Sequence, residues 1–391
     1  MKKMSKAYIT GHYMDAEYRS RGGVIPPIAM NSLFLFEDAD AATEAFKAPY
    51  ENYIYTRGLN PTNELFEKKM AKLENAEACR AFSSGMAAIS SAIMSCIKQG
   101  EHIVTINTVY GPARDFMTVY LKKFGVECTM VDGRDPLDFV NAAKENTALF
   151  YLESPSSYLL RIQDLKRIAD FAKERGIKTI VDNSWATPIF QTPLDYGIDM
   201  VVHSATKYIS GHSDVVAGVV AGSREQVGAI SLSEHALFGG VLSPFDAWLL
   251  TRGLRTLHVR MKYIQESAMK IAAFLEKHSR IKYVIYPGLK SYGQHELAKE
   301  QMSGFSGVMT FCVDSYASAK KVIDSLQLFG IGVSWGGFES LVFAPGIPMG
   351  EENIKEQIKN TQFDEGMIRI SIGLEDPDEL IEDLNNALSI M

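Results

Sequence analysis

At 391 residues the chain exceeds what one ordinary hydrophobic core organises, so a large domain with a smaller companion is expected. Hydrophobic residues at 46% and charged residues at 22% exclude disorder and fibrous repeats. A formal net charge of −7 excludes the broad cationic surface that nucleic acid or an anionic membrane would need, and the four scattered cysteines, Cys79, Cys96, Cys128 and Cys312, form neither a zinc ribbon nor a disulfide framework.

The first twenty residues are basic but lead into no apolar segment, and no later stretch approaches a membrane span, so a cytoplasmic protein is expected. Residues 1–57, rich in Tyr, Pro and polar groups without periodicity, read as an extended arm. From Asn63 the segment LFEKKMAKLENA has helical spacing, and FSSGMAAISSAIMSCI turns a glycine-containing loop into a second, apolar helix. The start of that helix, Ser84-Gly85-Met86, offers N–H groups and a positive dipole end to an anion.

Short β-branched runs follow: HIVTI, VECTMV, TALFYL, KTIVD and DMVVH. They alternate with helical stretches such as GPARDFMTVYLKKF and DLKRIADFAKERG, which predicts an α/β fold with a mostly parallel central sheet and helices on both faces. Beyond SGHSDVVAGVVAGS a long helical region leads to a smaller C-terminal α/β domain ending in MIRISIGLEDPDELIEDLNNAL. The expected division is an arm (1–57), a large domain (58–250) and a C-terminal domain (251–391).

Lys207, in SATKYISGHSD, follows the strand-like MVVH and is flanked by Ser204 and Thr206. A lysine leaving a parallel strand projects into the crevice where such sheets bind ligands, and neighbouring hydroxyls can take a phosphate. Asp182 ends the run KTIVD, where a carboxylate can pair with a protonated pyridine nitrogen. Tyr110, after HIVTI, can lay its ring on a flat cofactor. Singly, these residues are ordinarily a solvated lysine, a helix cap and a buried tyrosine; together with the anion-binding turn they point to a phosphate-bearing aromatic cofactor. No G-x-G-x-x-G follows the first strand, which removes an NAD-dependent dehydrogenase.

With YTRGLNPT, SSGMAA, VYGP, ESP, VDNSWATP, SATKYISGHSD and RISIGLED in this order, the chain resembles the Cys/Met metabolism family of pyridoxal 5′-phosphate enzymes along nearly its whole length. The resemblance implies the PLP-dependent transferase fold (fold type I), with residues 58–250 as the cofactor-binding domain. Lys207 would be the Schiff-base lysine and proton shuttle, Asp182 the pyridinium partner and Tyr110 a stacking and catalytic ring. Ser84, Gly85, Met86, Ser204 and Thr206 would hold the phosphate. Tyr55 and Arg57 would reach the phosphate of a neighbouring subunit, in a homotetramer built as a dimer of dimers with shared active sites. Arg369 would grip the α-carboxylate of a sulfur amino acid, with Ser334, Trp335 and Ser157 also contacting substrate and no metal required.

Within the family, Ser334-Trp335-Gly336-Gly337 is similar to the segment in bacterial cystathionine β-lyases, and Val333 stands where the γ-synthases and γ-lyases of cystathionine carry Glu. That favours a carbon–sulfur lyase performing β-elimination on cystathionine or a cysteine S-conjugate. The alternatives are cystathionine γ-synthase, cystathionine γ-lyase and methionine γ-lyase activities. A non-catalytic regulator on the same fold would have lost Lys207, Asp182 or Arg369, and all three are present.

Overall fold

The computed structural model describes residues 4–348, 350 and 363–391; the first three residues of the expected arm, and residues 349 and 351–362 of the expected C-terminal domain, lie outside it. Seven strands form the larger sheet: β1 (Ala78–Phe82), β2 (His102–Ile106), β3 (Glu127–Val131), β4 (Thr147–Glu153), β5 (Lys178–Asp182), β6 (Met200–Ser204) and β7 (Gly218–Gly222). Their spatial order is β1-β7-β6-β5-β4-β2-β3, and only β7 runs antiparallel to its neighbours. The five β-branched runs read from the sequence are β2 to β6. The pattern missed β1, whose ACRAF is interrupted by Arg80, and β7, whose GVVAG begins and ends in glycine.

Both sheet faces are covered, so the central strands carry unbroken apolar runs and not an alternation. Helix α1 (Lys6–His12) lies in the arm, followed by α2 (Pro61–Leu73), α3 (Gly85–Met94), α4 (Leu165–Arg175), α5 (Pro244–Lys277) and α6 (Pro377–Ser389). On one face, Ile89 and Ile93 of α3 and Ile168 and Ala172 of α4 pack with Val104, Phe150, Ile180 and Val202. On the other, Val219 and Ala221 join Phe66 and Met70 of α2 in a core that continues through α5 into a second sheet.

That second sheet comprises β8 (Tyr283–Ile285), β9 (Val308–Cys312), β10 (Gly330–Ile331), β11 (Leu341–Phe343) and β12 (Met367–Ser371), in the order β10-β11-β12-β9-β8. Helix α5 starts where Ser243 accepts the Asp246 N–H, with Pro244 in the first turn. Its 34 residues run through the expected 250/251 boundary and bury Leu250, Leu254, Leu257, Met261, Ile264 and Ile271 against both units. Each such side chain contributes roughly 1.5–3 kcal/mol.

The arm differs from the extended segment expected. Lys6–His12 and Asp15–Tyr18 are helical, and the fully buried Lys69 of α2 pairs with Asp15 at 2.9 Å. A single pair of turns is too short to display a hydrophobic period, which is why the sequence pattern concealed it.

The packing that matters most for the site is at Gly218. This residue pairs with both Phe82 and Ser204, and a Cβ there would lie 2.2 Å from the Ser84 carbonyl oxygen. The N-terminus of α3 can therefore sit directly on the sheet edge. Gly218→Ala is expected to cost about 1–3 kcal/mol by overpacking, read as a lower urea midpoint; an unchanged midpoint would contradict this reading of the contact.

Candidate active site

The carboxyl ends of the parallel strands converge on one cavity of about 830 Å³. Glu153, Asp182 and Ser204 are the last residues of β4, β5 and β6, Tyr110 follows β2, and Ser84 follows β1. Ser84, Gly85, Met86, Tyr110, Ser157, Asp182, Ser204, Thr206, Lys207, Ser334, Trp335 and Arg369 all line this cavity. Tyr55 and Arg57 do not: Arg57 donates to the Ala236 carbonyl at 2.6 Å, and Tyr55 stays half exposed.

At the α3 N-terminus Ser84 Oγ accepts the Ala87 N–H at 3.0 Å, which leaves the N–H groups of Gly85 and Met86 without intrahelical acceptors. A Cβ on Gly85 would stand 3.0 Å from Ser204 Oγ, so glycine lets this hydroxyl approach the helix end. Thr206 Oγ1 accepts the Ala217 N–H at 2.9 Å, fixing the turn that leads to Lys207. Positive dipole, free N–H groups and hydroxyls are the features that could hold a phosphate.

Lys207 Nζ donates to Ser334 Oγ at 2.6 Å and lies 5.4 Å from the Trp335 ring centroid. Burial first, then the Arg369 charge, brings the Lys207 amine down to about 8. The segment holding Ser334 and Trp335 rests on the lysine's own backbone: Gly336 has φ +86°, and a Cβ there would meet Tyr208 N at 2.9 Å and Lys207 C at 3.1 Å. Only glycine satisfies both the left-handed backbone and this contact.

Arg369, in β12, is buried between the rings of Tyr158 and Phe343, with centroids 5.3 and 6.0 Å from Cζ. Its Nη2 donates to the carbonyls of Val333 (2.8 Å) and Ser334 (3.1 Å). Its Nε is buried and has no hydrogen-bond partner among the described residues, a costly arrangement that a carboxylate in the cavity would relieve.

Asp182 receives the Ser184 N–H at 2.9 Å, and burial raises its pKa. A cationic ring nitrogen beside it would offset that burial. Across the strands its register partner is Glu153. Glu153 accepts the Tyr110 N–H on Oε2 and the Ser157 hydroxyl on Oε1, both at 2.7 Å. The Tyr110 ring is half exposed to the cavity, and burial followed by the Asp182 charge raises its phenol further.

Sequence reasoning quoted Glu153 within ESP but gave it no role, and it passed over Tyr158, Phe343 and Arg114, which also line the cavity. The signal for Glu153 was available: it ends β4 as Asp182 ends β5. Nothing local marks the aromatic pair, because it meets Arg369 only through tertiary packing.

A mostly parallel sheet with a half-buried lysine and a buried aspartate at its carboxyl edge, beside a helix N-terminus that could take a phosphate, is the arrangement of a fold type I PLP-dependent enzyme. The model of the Cys/Met metabolism PLP-dependent enzymes matches residues 10–389, and the chain belongs to that family. It is 40% identical over 370 residues to L-methionine γ-lyase of Porphyromonas gingivalis, covering 94% of this chain and 93% of the relative. It is 42% identical to cystathionine γ-lyase of Bacillus subtilis (87% and 89% covered) and 38% identical to cystathionine β-lyase of the same organism (94% and 92%). The cofactor is accordingly pyridoxal 5′-phosphate, and the chain is a PLP-dependent lyase of carbon–sulfur bonds.

The lowered Lys207 pKa has a stability consequence. The amine is protonated in the unfolded chain below its ordinary 10.5, and the folded protein without cofactor disfavours that charge. The penalty is absent above pH 10.5, grows as pH falls toward 8 and is complete below that. Lys207→Met apoprotein should therefore melt higher than unsubstituted apoprotein at pH 6–7, by an amount on the order of 2 kcal/mol, with the advantage fading by pH 10.5. A difference independent of pH in thermal scans would refute it.

Proposed function

We propose that this chain cleaves the Cβ–S bond of cystathionine or another cysteine S-conjugate, releasing pyruvate, ammonia and a thiol such as homocysteine. The observation that carries the reading is the cavity wall Val333-Ser334-Trp335 set against Lys207 and Arg369. When bound, the cofactor supplies an electrophilic carbon for the substrate amine and a conjugated ring that takes up the electron pair left at Cα.

This chain's residues do the rest. Gly85 and Met86 N–H groups and the Ser204 and Thr206 hydroxyls would hold the phosphate, Asp182 would pair with the ring nitrogen and Tyr110 would stack on the ring. Arg369 would hold the substrate α-carboxylate through Nε, the donor not engaged by backbone carbonyls, with Ser334 and Ser157 beside it. Lys207 Nζ takes the Cα proton, and its lowered pKa keeps a useful fraction of the amine neutral near pH 8. One proton removal then suffices to expel a sulfur on Cβ.

Elimination at Cγ needs a second proton removal, at Cβ, with a longer substrate arm held in place. Val333 offers no carboxylate for a distal ammonium, and Trp335 narrows the space. Arg114 lines the cavity, where its guanidinium could meet a distal carboxylate like that of cystathionine. A second reading, γ-elimination, is favoured by the names of the methionine γ-lyase and cystathionine γ-lyase relatives. Separate incubation with cystathionine, cysteine, homocysteine and methionine decides between them. Pyruvate with homocysteine from cystathionine is expected, and chiefly 2-oxobutyrate with cysteine would establish the γ route.

We also infer a homotetramer, a dimer of dimers, working in the cytoplasm. Its support is that Tyr55 and Arg57 stand outside their own chain's cavity, on an arm whose Leu33 and Leu35 are exposed. In support of the cytoplasm, all four cysteines are free, and no helix among the described residues is long and apolar enough to cross a membrane. Mixing inactive Arg57→Ala protein with inactive Lys207→Ala protein should restore part of the activity in hybrids; none after verified subunit exchange would dismiss shared sites.

A further inference from the structure

The hydrogen bonds around Glu153 impose a choice on Ser157. The Ser157 side chain has one hydrogen, and it points back to Glu153 Oε1 at 2.7 Å while the other carboxylate oxygen is occupied by the Tyr110 N–H. In that state the hydroxyl can offer the cavity only a lone pair. If Glu153 carries a proton instead, the same 2.7 Å contact runs the other way, and the serine hydrogen is released toward the cavity.

We propose that Glu153 is a positioning residue that sets the polarity of the Ser157 hydroxyl, so that a protonated Glu153 turns Ser157 into a hydrogen-bond donor for an anionic oxygen in the cavity. The oxygen belongs to the cofactor's phenolic group or to a substrate carboxylate, both of which carry the same chemistry. The inference rests on the cofactor reading of this cavity.

The surroundings of Glu153 support two states. It is buried, its register partner across the sheet is Asp182, and burial followed by the Asp182 charge raises its pKa. The N–H groups of Tyr110 and Ser157, and the Ser157 hydroxyl, act in the opposite direction. The phenols of Tyr151 on its own strand and Tyr110 beyond β2 feel its charge, and Lys207 and His203 beyond β5 act on it through Asp182. Any charge brought beside Asp182 therefore changes the balance at Glu153, which couples ligand binding to the direction of one hydroxyl.

Glu153→Gln is the isosteric probe. Its amide oxygen can keep the Tyr110 N–H while its NH₂ donates to Ser157, a permanent copy of the protonated state. In the holoenzyme without substrate, the pH midpoint of the cofactor's visible band should move down by about one unit in Glu153→Gln, the roughly tenfold effect of one hydrogen bond to an anionic oxygen. In the Ser157→Ala background, adding Glu153→Gln should change nothing further.

If the band is unmoved but the affinity for propionate, an amine-free carboxylate, shows the same pattern, the proposal holds with the substrate carboxylate as recipient. A Glu153→Gln effect that persists without the Ser157 hydroxyl overturns it, as does no effect on band or propionate in folded Glu153→Gln. Absence of a visible band in the unsubstituted protein would instead remove the cofactor reading itself. Should Glu153→Gln melt early, Ser157→Ala alone still decides: a hydroxyl that turns with Glu153 makes the ratio of propionate affinities of unsubstituted and Ser157→Ala protein rise as pH falls, and a ratio constant with pH excludes the switch.

Discussion

Four ionisable side chains, Lys207, Arg369, Asp182 and Glu153, are held together out of bulk water around one cavity, and desolvation governs them all. Burial lowers the two bases and raises the two acids, so each is pushed toward neutrality in the protein alone. Such a cluster stores a demand for complementary charge. A cationic ring nitrogen at Asp182 and a carboxylate at Arg369 would answer it, so the electrostatic cost in the protein alone would favour holding cofactor and substrate.

That cluster can be desolvated only because two sheets share one core. Helix α5 is buried by both, and the segment after β10 crosses from the smaller sheet to touch the lysine turn. Gly253 in α5 allows the Ile209 and Ser210 carbonyls to approach, since a Cβ there would fall about 2.5 Å from them. Lysine, carboxylate anchor and sulfur-side wall thus belong to a single packed body.

Legibility from sequence followed the range of the interactions involved. The parallel strands β2 to β6 were readable because burial on both faces writes unbroken β-branched runs, Lys207 and Asp182 because each sits at or just past a strand end, and Ser84 because it opens a glycine-containing apolar helix. Strands β1 and β7 were not, because Arg80 and the flanking glycines serve tertiary needs: Arg80 reaches Glu67 and Ser231, and Gly218 admits the Ser84 carbonyl. The helical arm was hidden by its shortness, and its anchor, Lys69 to Asp15, joins residues far apart in the chain. The setting of Arg369 between Tyr158 and Phe343 was equally out of reach, since three separate segments meet there.

The contact of Gly336 with the lysine backbone has an evolutionary corollary. Because a glycine carries the frame, Val333, a few residues before it and largely exposed, has no part in the contact with Lys207's main chain. Substitution there can retune which sulfur compound is accepted while the catalytic amine keeps its place. A scaffold with that separation can diversify among neighbouring reactions by single steps, which is the situation of a chain nearly equally similar to relatives named for cleavage at Cβ and at Cγ.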